Sequence, residues 1–349
     1  MKLAVICNHQ YPDMQEFFQA KARLKSSKLG SKLSFLTCYS VTGSDDISRI
    51  PSCFSRKPFF DFLLLVDLFY GPLLALFLRL CGFKVIHFTT THFSNLPVAI
   101  LFRLLGGSVL STVHRFDLES YDPLRRVLLT CYEKLIFLLS EKIIILSDNE
   151  RVPPIKKVVI KMAGYKQQVT KSKATADYFM FFGRIDDYKG LEDIFSLARD
   201  LPNANFVVAG NGFSPAISDL ECLENVTVIN RFIDDSELKG LFDGAYLVLL
   251  PYKSISQSAV QILSYSYATP VVCYDIGNLS EFIVNGVTGY LVPSCDYSSF
   301  KKAVESFKVE DLSTMSRNCI TYFSDNFSDD VLYKQYYEFY SQTLLRTIL

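Results

Sequence analysis

Short apolar runs alternate with longer amphipathic stretches along most of the chain. In the first half, Lys2–Cys7, Lys84–Phe88 and Ser108–Val113 are runs that contain Val, Ile or Leu. In the second half, Ala245–Leu250 is a similar run, and Tyr178–Phe182 is an apolar run of aromatic residues and Met. Stretches of helical spacing separate these runs. Strands that alternate with helices pair in parallel and carry helices on both faces of the sheet. The pattern therefore predicts an α/β protein with two parallel-sheet units.

The most apolar stretch of the chain, residues 59–83, is interrupted by two aspartates, a Gly-Pro pair and an arginine. It therefore lacks the roughly 20 uninterrupted apolar residues that a membrane-spanning helix needs. We predict a buried strand over Phe62–Val66, a turn at Gly71-Pro72 and a helix over Pro72–Leu80. The alternative is a segment that lies on a membrane surface.

The composition changes within residues 151–176, where a Pro-Pro pair is followed by a polar stretch typical of a linker. We predict an N-terminal domain over residues 1–170 and a C-terminal domain over residues 171–328. A C-terminal helix over residues 329–349 is expected to pack back on the N-terminal domain.

Charge is distributed unevenly between the two halves, although the whole chain carries 36 basic and 36 acidic residues. Residues 1–172 hold 23 Lys and Arg against 13 Asp and Glu, a net charge of +10, so the remaining residues carry −10. The basic half suits an anionic partner such as phospholipid headgroups. The alternative is that the two oppositely charged domains attract each other.

The nine cysteines are scattered, without a C-x-x-C motif, and most lie in apolar stretches. This usage is typical of buried thiols in a reducing compartment, and the spacings argue against a zinc site. The initial apolar run ends at Asn8, too early for a signal peptide. We therefore predict a cytoplasmic protein. A peripheral position at the inner face of the plasma membrane is a further expectation.

The most specific local motif joins Gly183-Arg184 to Lys189-Gly190 directly after the apolar run Tyr178–Phe182. Open α/β sheets bind ligands at the carboxyl ends of their strands. An arginine presents a planar fork of donors and a lysine a point charge, a combination that suits a diphosphate. The glycine permits close approach of a ligand to the backbone.

Further motifs follow in a fixed order along the second half. They are Gly210-Asn-Gly212, Asn230-Arg231-Phe232, Pro251-Tyr252, Ser256-Gln257-Ser258, Ala268-Thr-Pro270 and Asn285-Gly286-Val-Thr-Gly289. The glycine pair at 210 and 212 lacks the third glycine of a dinucleotide fingerprint, which argues against NAD. In this order the motifs resemble the donor domain of retaining glycosyltransferase family 4. The resemblance extends weakly to the first half through Ile86–His92 and Ser111–His114.

The resemblance implies the GT-B fold, with two Rossmann-like domains facing a cleft, and a nucleotide-sugar donor bound without a metal or other cofactor. It implies a catalytic role for His114, which would face the sugar. The implied nucleoside and sugar contacts are Gly210, Arg231, Phe232, Ser256 and Gln257. The implied diphosphate contacts are Gly183, Arg184, Lys189, Ser258, Ala259 and Val260.

The sequence departs from the family at two acidic positions. The family carries a pair of glutamates spaced E-x7-E, and Pro270 fixes the register so that these positions are Ile255 and Leu263. Neither side chain can make the usual sugar or ribose contact. The Ser-Gln-Ser segment at 256–258 offers neutral hydrogen bonding nearby and is similar to segments of bacterial polysaccharide-assembly members.

The resemblance thus implies transfer of a sugar, with retention, from a donor expected to be UDP-linked. The expected acceptor is a saccharide or lipid-linked saccharide in cell-surface polysaccharide synthesis. Contact with an anionic membrane is a further expectation, and nucleic acid is not an expected partner. Two alternatives stay open: a non-catalytic protein of the same fold that has lost turnover, and a nucleotide-sugar epimerase.

Overall fold

The computed structural model describes residues 2–7, 23–37, 48–49, 63–90, 92–113, 123–146, 152–161, 176–255, 258–277 and 279–346. The chain divides into two compact units. The first consists of Met1–Ala163 together with Leu332–Leu349, and the second of Gly164–Val331. The first unit is therefore built from both ends of the chain.

The strands of the first unit are β1 (Lys2–Cys7), β2 (Leu33–Thr37), β3 (Ser48–Arg49), β4 (Phe83–Phe88), β5 (Ser108–Val113), β6 (Lys142–Ile145) and β7 (Lys157–Val159). Those of the second are β8 (Tyr178–Phe182), β9 (Asn205–Gly210), β10 (Val226–Asn230), β11 (Ala245–Leu250), β12 (Val271–Tyr274) and β13 (Gly289–Val292).

The principal helices, in chain order, are α1 (Leu63–Leu80), α2 (Asn95–Leu104), α3 (Pro123–Leu139), α4 (Leu191–Asp200), α5 (Ala216–Glu221), α6 (Asp235–Asp243), α7 (Val260–Ser266), α8 (Tyr297–Glu305), α9 (Leu312–Phe327) and α10 (Asp329–Arg346). None of the described helices combines the length and the apolar character that crossing a bilayer requires.

The first unit is a parallel sheet with the strand order β3-β2-β1-β4-β5-β6-β7 in the described part of the chain. Side chains from alternate positions of β1 enter two separate cores, as expected for a strand buried on both faces. Leu3 and Val5 pack with α10, whereas Ala4 and Ile6 pack with α1, α2 and α3. Helices therefore cover both faces of this sheet, and α10 belongs to the face opposite α1–α3.

The prediction of a strand and a turn within residues 62–72 was wrong, because α1 runs from Leu63 to Leu80 and includes Pro72. Tertiary packing accounts for the difference. A Cβ atom on Gly71 would lie 2.9 Å from a ring carbon of Pro97 and 3.3 Å from a methyl group of Val98, both in α2. The Gly-Pro pair thus marks a close approach of two helices rather than a chain reversal.

A buried histidine links the sheet of the first unit to α10. His87 of β4 is fully buried. Its Nδ1 atom lies 2.7 Å from the hydroxyl of Tyr340, and its Nε2 atom lies 2.8 Å from the hydroxyl of Thr112 on β5. Hydroxyl partners on both ring nitrogens satisfy this polar group inside an apolar core.

The second unit is a parallel sheet with the strand order β10-β9-β8-β11-β12-β13. Its central strands β8 and β11 are almost continuous apolar runs, typical of parallel strands covered on both faces. Both units are thus Rossmann-like α/β sheets, as the sequence pattern predicts. The order of the strands brings the carboxyl ends of β8, β9 and β11 side by side at one edge.

Candidate functional site

The carboxyl ends of β8 and β9 meet through two glycines. Gly183 has a φ of +134° and Gly210 a φ of +156°, values that favour glycine. A Cβ atom on Gly210 would lie 1.7 Å from the carbonyl oxygen of Gly183. One on Gly183 would lie 3.5 Å from a methyl group of Val260 and 3.7 Å from the hydroxyl of Tyr252. The Gly-Arg turn therefore lies against the start of α7 and the segment after β11.

The two cations of the Gly-Arg…Lys-Gly motif lie against the same aromatic ring. Tyr188 has the Arg184 guanidinium 5.7 Å and the Lys189 ammonium 5.0 Å from its ring centroid. Arg184 also donates a 2.7 Å hydrogen bond to the Tyr188 hydroxyl and lies 3.4 Å from Asp186. The Arg184 side chain is 56% exposed, so it remains open to solvent on a loop that already orients it.

Lys189 is buried, which is unusual for a lysine. Its ammonium lies 3.6 Å from the centroid of the Tyr252 ring, a cation–π geometry. Tyr252 is itself fully buried, and burial raises the pKa of its hydroxyl above the usual range, while hydrogen bonding to Ser258 acts in the opposite direction. The Tyr252 side chain therefore stays neutral and presents its ring face to a desolvated cation.

The turn that carries Lys189 is fixed against the segment after β11. Gly190 has a φ of +71°, and a Cβ atom there would lie 1.9 Å from the carbonyl oxygen of Pro251. The amide of Lys253 donates a 2.8 Å hydrogen bond to the carbonyl of Tyr188. The Lys253 ammonium in turn pairs with Asp193 in the first turn of α4. Backbone and side-chain contacts together hold the lysine turn in place.

Ser258, Ala259 and Val260 lie at the start of α7. Ser258 is buried, and its hydroxyl accepts a 3.3 Å hydrogen bond from the amide of Val260. Ala259 precedes the helix, and its carbonyl accepts the first intrahelical hydrogen bond, from Leu263. Val260 is the residue that faces Gly183. The predicted phosphate-cradle segment and the Gly-Arg turn are therefore brought together by the fold.

Ile255 and Leu263, the two positions at which the resemblance to family 4 implies glutamates, differ in their surroundings. Leu263 is buried in α7, whereas Ile255 is half-buried and its carbonyl packs against Gly277. Between them, Gln261 is fully buried, and neither atom of its amide has a hydrogen-bond partner among the described residues. Sequence reasoning gave Gln261 no role, although an amide between two apolar positions of a buried helix is an unusual choice.

Arg231 and Phe232 follow β10. Since β9 separates β10 from β8, they lie about 10 Å to the side of the Gly-Arg turn. Arg231 makes two hydrogen bonds of 2.9 and 2.6 Å to the carboxylate of Glu237 in α6. This pairing, together with the amide of Asp234, lowers the pKa of Glu237 to about 2. Phe232 is 73% exposed, an unusual position for a large apolar side chain.

The fold thus gathers Gly183, Arg184, Lys189, Gly210, Ser258, Ala259 and Val260 at the carboxyl ends of β8, β9 and β11. It places Arg231 and Phe232 at the neighbouring end of β10. The predicted site residues His114, Ser256 and Gln257 lie outside the described residues. Sequence reasoning assigned no role to Tyr188 or Tyr252, although Tyr188 lies within the Gly-Arg…Lys-Gly motif and Tyr252 belongs to the Pro251-Tyr252 motif.

Within the described part of the chain, no group of three or more His, Cys, Asp or Glu side chains is arranged to hold a metal ion. At the Gly-Arg turn, the described cations Arg184 and Lys189 lie against the Tyr188 ring, with Asp186 beside the arginine. A buried ammonium and a solvent-open guanidinium at the end of a parallel sheet suit an anion with two charged groups.

Three comparisons with known proteins show what the chain is similar to. Residues 165–323 match the family model "Glycosyl transferases group 1". An uncharacterized 41.2 kDa protein in the cps region of Klebsiella pneumoniae is 24% identical over 197 residues, 56% of this chain and 52% of that protein. The D-inositol 3-phosphate glycosyltransferase of Mycobacterium sp. (strain KMS) is 28% identical over 152 residues, 40% of this chain and 34% of that protein. The chain thus spans about half, or less, of these relatives.

Solved structures are similar over nearly the whole chain. Anabaena HepE in complex with UDP superposes with a TM-score of 0.74 at 14% sequence identity, covering 98% of this chain and all of that one. At this identity the likeness shows the fold. The chain therefore has the GT-B fold of two Rossmann-like domains, and residues 165–323, just under half of its 349 residues, match the glycosyl transferases group 1 family.

Proposed function

We propose that the protein is a glycosyltransferase that uses a nucleotide-sugar donor, expected to be UDP-linked. The observation that carries this proposal is the pair of cations, Arg184 and Lys189, held on one tyrosine ring beside Gly183 and the start of α7. The match of residues 165–323 to the family supports it. HepE, which shares the fold, was solved with UDP and with UDP-glucose.

In the proposed reaction, the bond between the anomeric carbon of the sugar and the diphosphate breaks. A bond from that carbon to an acceptor hydroxyl oxygen forms, and the acceptor proton is released. Negative charge grows on the departing nucleoside diphosphate, and fixed cations stabilise a transition state in which that charge develops. Lys189, held on Tyr252, and Arg184, held by Tyr188, would supply this stabilisation without a metal ion.

The acceptor belongs to the same proposal. The resemblance to family 4 implies an acceptor that is a saccharide or lipid-linked saccharide in cell-surface polysaccharide synthesis. It also implies that the transferred sugar retains its anomeric configuration. We place the reaction at the inner face of the membrane. The relative from a cps region supports this setting. Retention can be tested by NMR, because the anomeric configuration of the product distinguishes a retaining from an inverting enzyme.

A second candidate function is that of a non-catalytic protein that keeps the fold. It is favoured by one observation: the two glutamate positions of the family are the apolar Ile255 and Leu263, and Leu263 is packed in the core. Such a protein would keep the cation pair and lack turnover. Binding and turnover must therefore be measured separately.

The decisive experiment is a thermal-shift screen against UDP, GDP and ADP and their sugar conjugates, with and without EDTA. A ligand that binds the native state raises the melting temperature. We expect one of the nucleoside diphosphates to raise the melting temperature, by the same amount with and without EDTA. Arg184→Ala should weaken its binding by about tenfold or more, since a charged hydrogen bond contributes about 1.5–3 kcal/mol.

Arg199→Ala is the matched control, because Arg199 lies in the last turn of α4 and contacts Phe195 rather than the site. Equal loss of affinity in both variants, or unchanged affinity in Arg184→Ala, would reject the site. Binding without release of nucleoside diphosphate in the presence of candidate acceptors would favour the non-catalytic function.

A further inference from the structure

The helix α1 is apolar on two opposite sides. Its inner side packs Leu74, Ala75 and Leu78 into the core of the first unit. Its outer side exposes Leu73, Leu76, Phe77 and Leu80, spaced i, i+3, i+4 and i+7, so that they form one continuous stripe. Leu80 is 78% exposed. A single exposed leucine is ordinary, but a full helical stripe is not.

The neighbouring helices repeat this arrangement. On α3, Leu124, Val127, Leu135 and Leu138 are exposed along one side, while Tyr132 and Ile136 on the other side enter the core. On α2, between them in sequence, Ile100 and Leu104 are exposed one turn apart. All three helices pack on the same face of the sheet, so their outer sides face away from it together. We call these exposed residues the apolar face.

The exposed charges that the structure describes on α1, α2 and α3 have one sign. Among the side chains that the structure describes on α1, α2 and α3, the exposed charged ones are Arg103, Arg126 and Lys134, all of them basic. Glu133 on α3 is buried. Apolar side chains flanked by exposed cations are typical of helices that lie in the interface of an anionic bilayer.

We propose that the apolar face of α1, α2 and α3 is a docking surface for an anionic lipid bilayer. Two copies of this face would bring like charges together, which disfavours a symmetric dimer. The helices would lie in the headgroup region, with Phe77 and the exposed leucines in the acyl boundary and the cations among the phosphates. The proposal assigns the surface for the expected membrane contact and does not depend on sugar transfer.

Two cysteines allow a test on the chain without any substitution. Cys81 directly follows α1, and Cys131 lies on the outer side of α3, and both are exposed. Cys222 and Cys295 of the second unit are exposed as well and serve as internal controls. Alkylation requires an accessible thiolate. With vesicles of phosphatidylcholine and phosphatidylglycerol, we expect roughly tenfold slower alkylation of Cys81 and Cys131, mapped by mass spectrometry, and unchanged rates at the controls.

Co-sedimentation with the same vesicles tests the apolar contribution. Phe77→Ser and Leu80→Ser should each lower the partition coefficient by roughly tenfold, since each removes a large apolar side chain from the interface. Leu345→Ser is the matched control, because Leu345 is an exposed leucine on α10, on the opposite face of the sheet. Melting curves monitored by circular dichroism verify that the variants fold, as expected for substitutions at exposed positions.

Binding should also weaken in Lys134→Gln and at high salt, because cations near an anionic bilayer are screened within a Debye length. No binding to phosphatidylglycerol vesicles at low salt would overturn the proposal. Equal protection of all four cysteines would overturn the assignment of this face. A dimer in solution that Phe77→Ser disrupts, without lipid binding, would show that a second copy covers the face.

Discussion

At the residue scale, the candidate site depends on aromatic rings that hold its cations. Lys189 lies 3.6 Å from the centroid of the buried Tyr252 ring, and Tyr188 contacts both Lys189 and Arg184. A buried ammonium loses its hydration, and a ring face replaces part of it. The rings therefore fix the position of the charge before any ligand arrives, which lowers the entropic cost of binding.

Replacement of Tyr252 tests this arrangement. Tyr252→Leu removes the ring and should weaken binding of the nucleoside diphosphate by roughly fivefold to thirtyfold, the equivalent of a desolvated cation–π contact of about 1–2 kcal/mol. Tyr252→Phe keeps the ring and should bind almost as the parent does. Isothermal titration calorimetry measures both. Equal effects of the two substitutions would assign the role to the hydroxyl instead.

Gln261 offers a test of stability. Its amide is fully buried without a hydrogen-bond partner among the described residues, a situation that costs about 1–3 kcal/mol. Gln261→Met keeps the approximate shape and should raise the free energy of unfolding by about that amount, measured with urea. Gln342→Met, at an exposed position of α10, should change little. If the Gln261→Met protein is less stable than the parent protein, the Gln261 amide is not unpaired as described.

At the element scale, the turn between β8 and α4 is defined by how closely it approaches the segment after β11. Two glycines of the second unit contrast in this respect. Gly190 has a φ of +71° and lies against the Pro251 carbonyl, whereas Gly240 lies inside α6 with no atom within 4 Å of a Cβ position. The same substitution should therefore have opposite effects at the two positions.

Gly190→Ala should destabilise the second unit by at least about 2 kcal/mol, because it adds both left-handed backbone strain and a clash with a carbonyl oxygen. Gly240→Ala should stabilise it by up to about 1 kcal/mol, since alanine has the higher helix propensity. Chemical denaturation measures both free energies. If Gly190→Ala is as stable as the parent protein, the lysine turn is not fixed as described.

At the scale of the whole molecule, the two units differ in charge and in chain composition. Met1–Ala163 with Leu332–Leu349 carry 23 basic and 14 acidic residues, a net charge of +9, so Gly164–Val331 carry −9. The basic unit also holds the apolar face, and the acidic unit holds the cation pair. The proposed membrane contact and the proposed donor binding are thus assigned to different units. A substitution can therefore remove either interaction and leave the other in place.

The contact between His87 and Tyr340 tests how the chain end stabilises the first unit. Tyr340→Phe removes the hydroxyl partner of the buried Nδ1 atom of His87 and should lower the free energy of unfolding by about 1–3 kcal/mol. Tyr337→Phe, at a half-buried position of the same helix, should have a small effect. Urea titration followed by circular dichroism measures both. Equal values would show that the hydrogen bond adds no stability.

Strand β8 and helix α1 differ in how much of their structure the local sequence encodes. The strand β8 and the Gly-Arg motif after it could be located from the sequence, because an apolar run that ends in glycine and two spaced cations is a local signal. For helix α1, only the part from Pro72 to Leu80 could be predicted, because the Gly71-Pro72 pair has the local signature of a turn, and only the approach of Pro97 shows why the glycine is there. Local propensity yields to packing in such cases.

The sequence by itself determined the class of the fold and the order of the site motifs, since these depend on periodicity and residue identity alone. The resemblance to family 4 adds that Ile255 and Leu263 stand where that family carries glutamates. Only the tertiary structure decided that Lys189 lies on the ring of Tyr252, that Tyr340 reaches His87, and that three apolar stripes share one face. These are contacts between residues far apart in the chain. They depend on the order in which strands and helices pack, which no local pattern encodes.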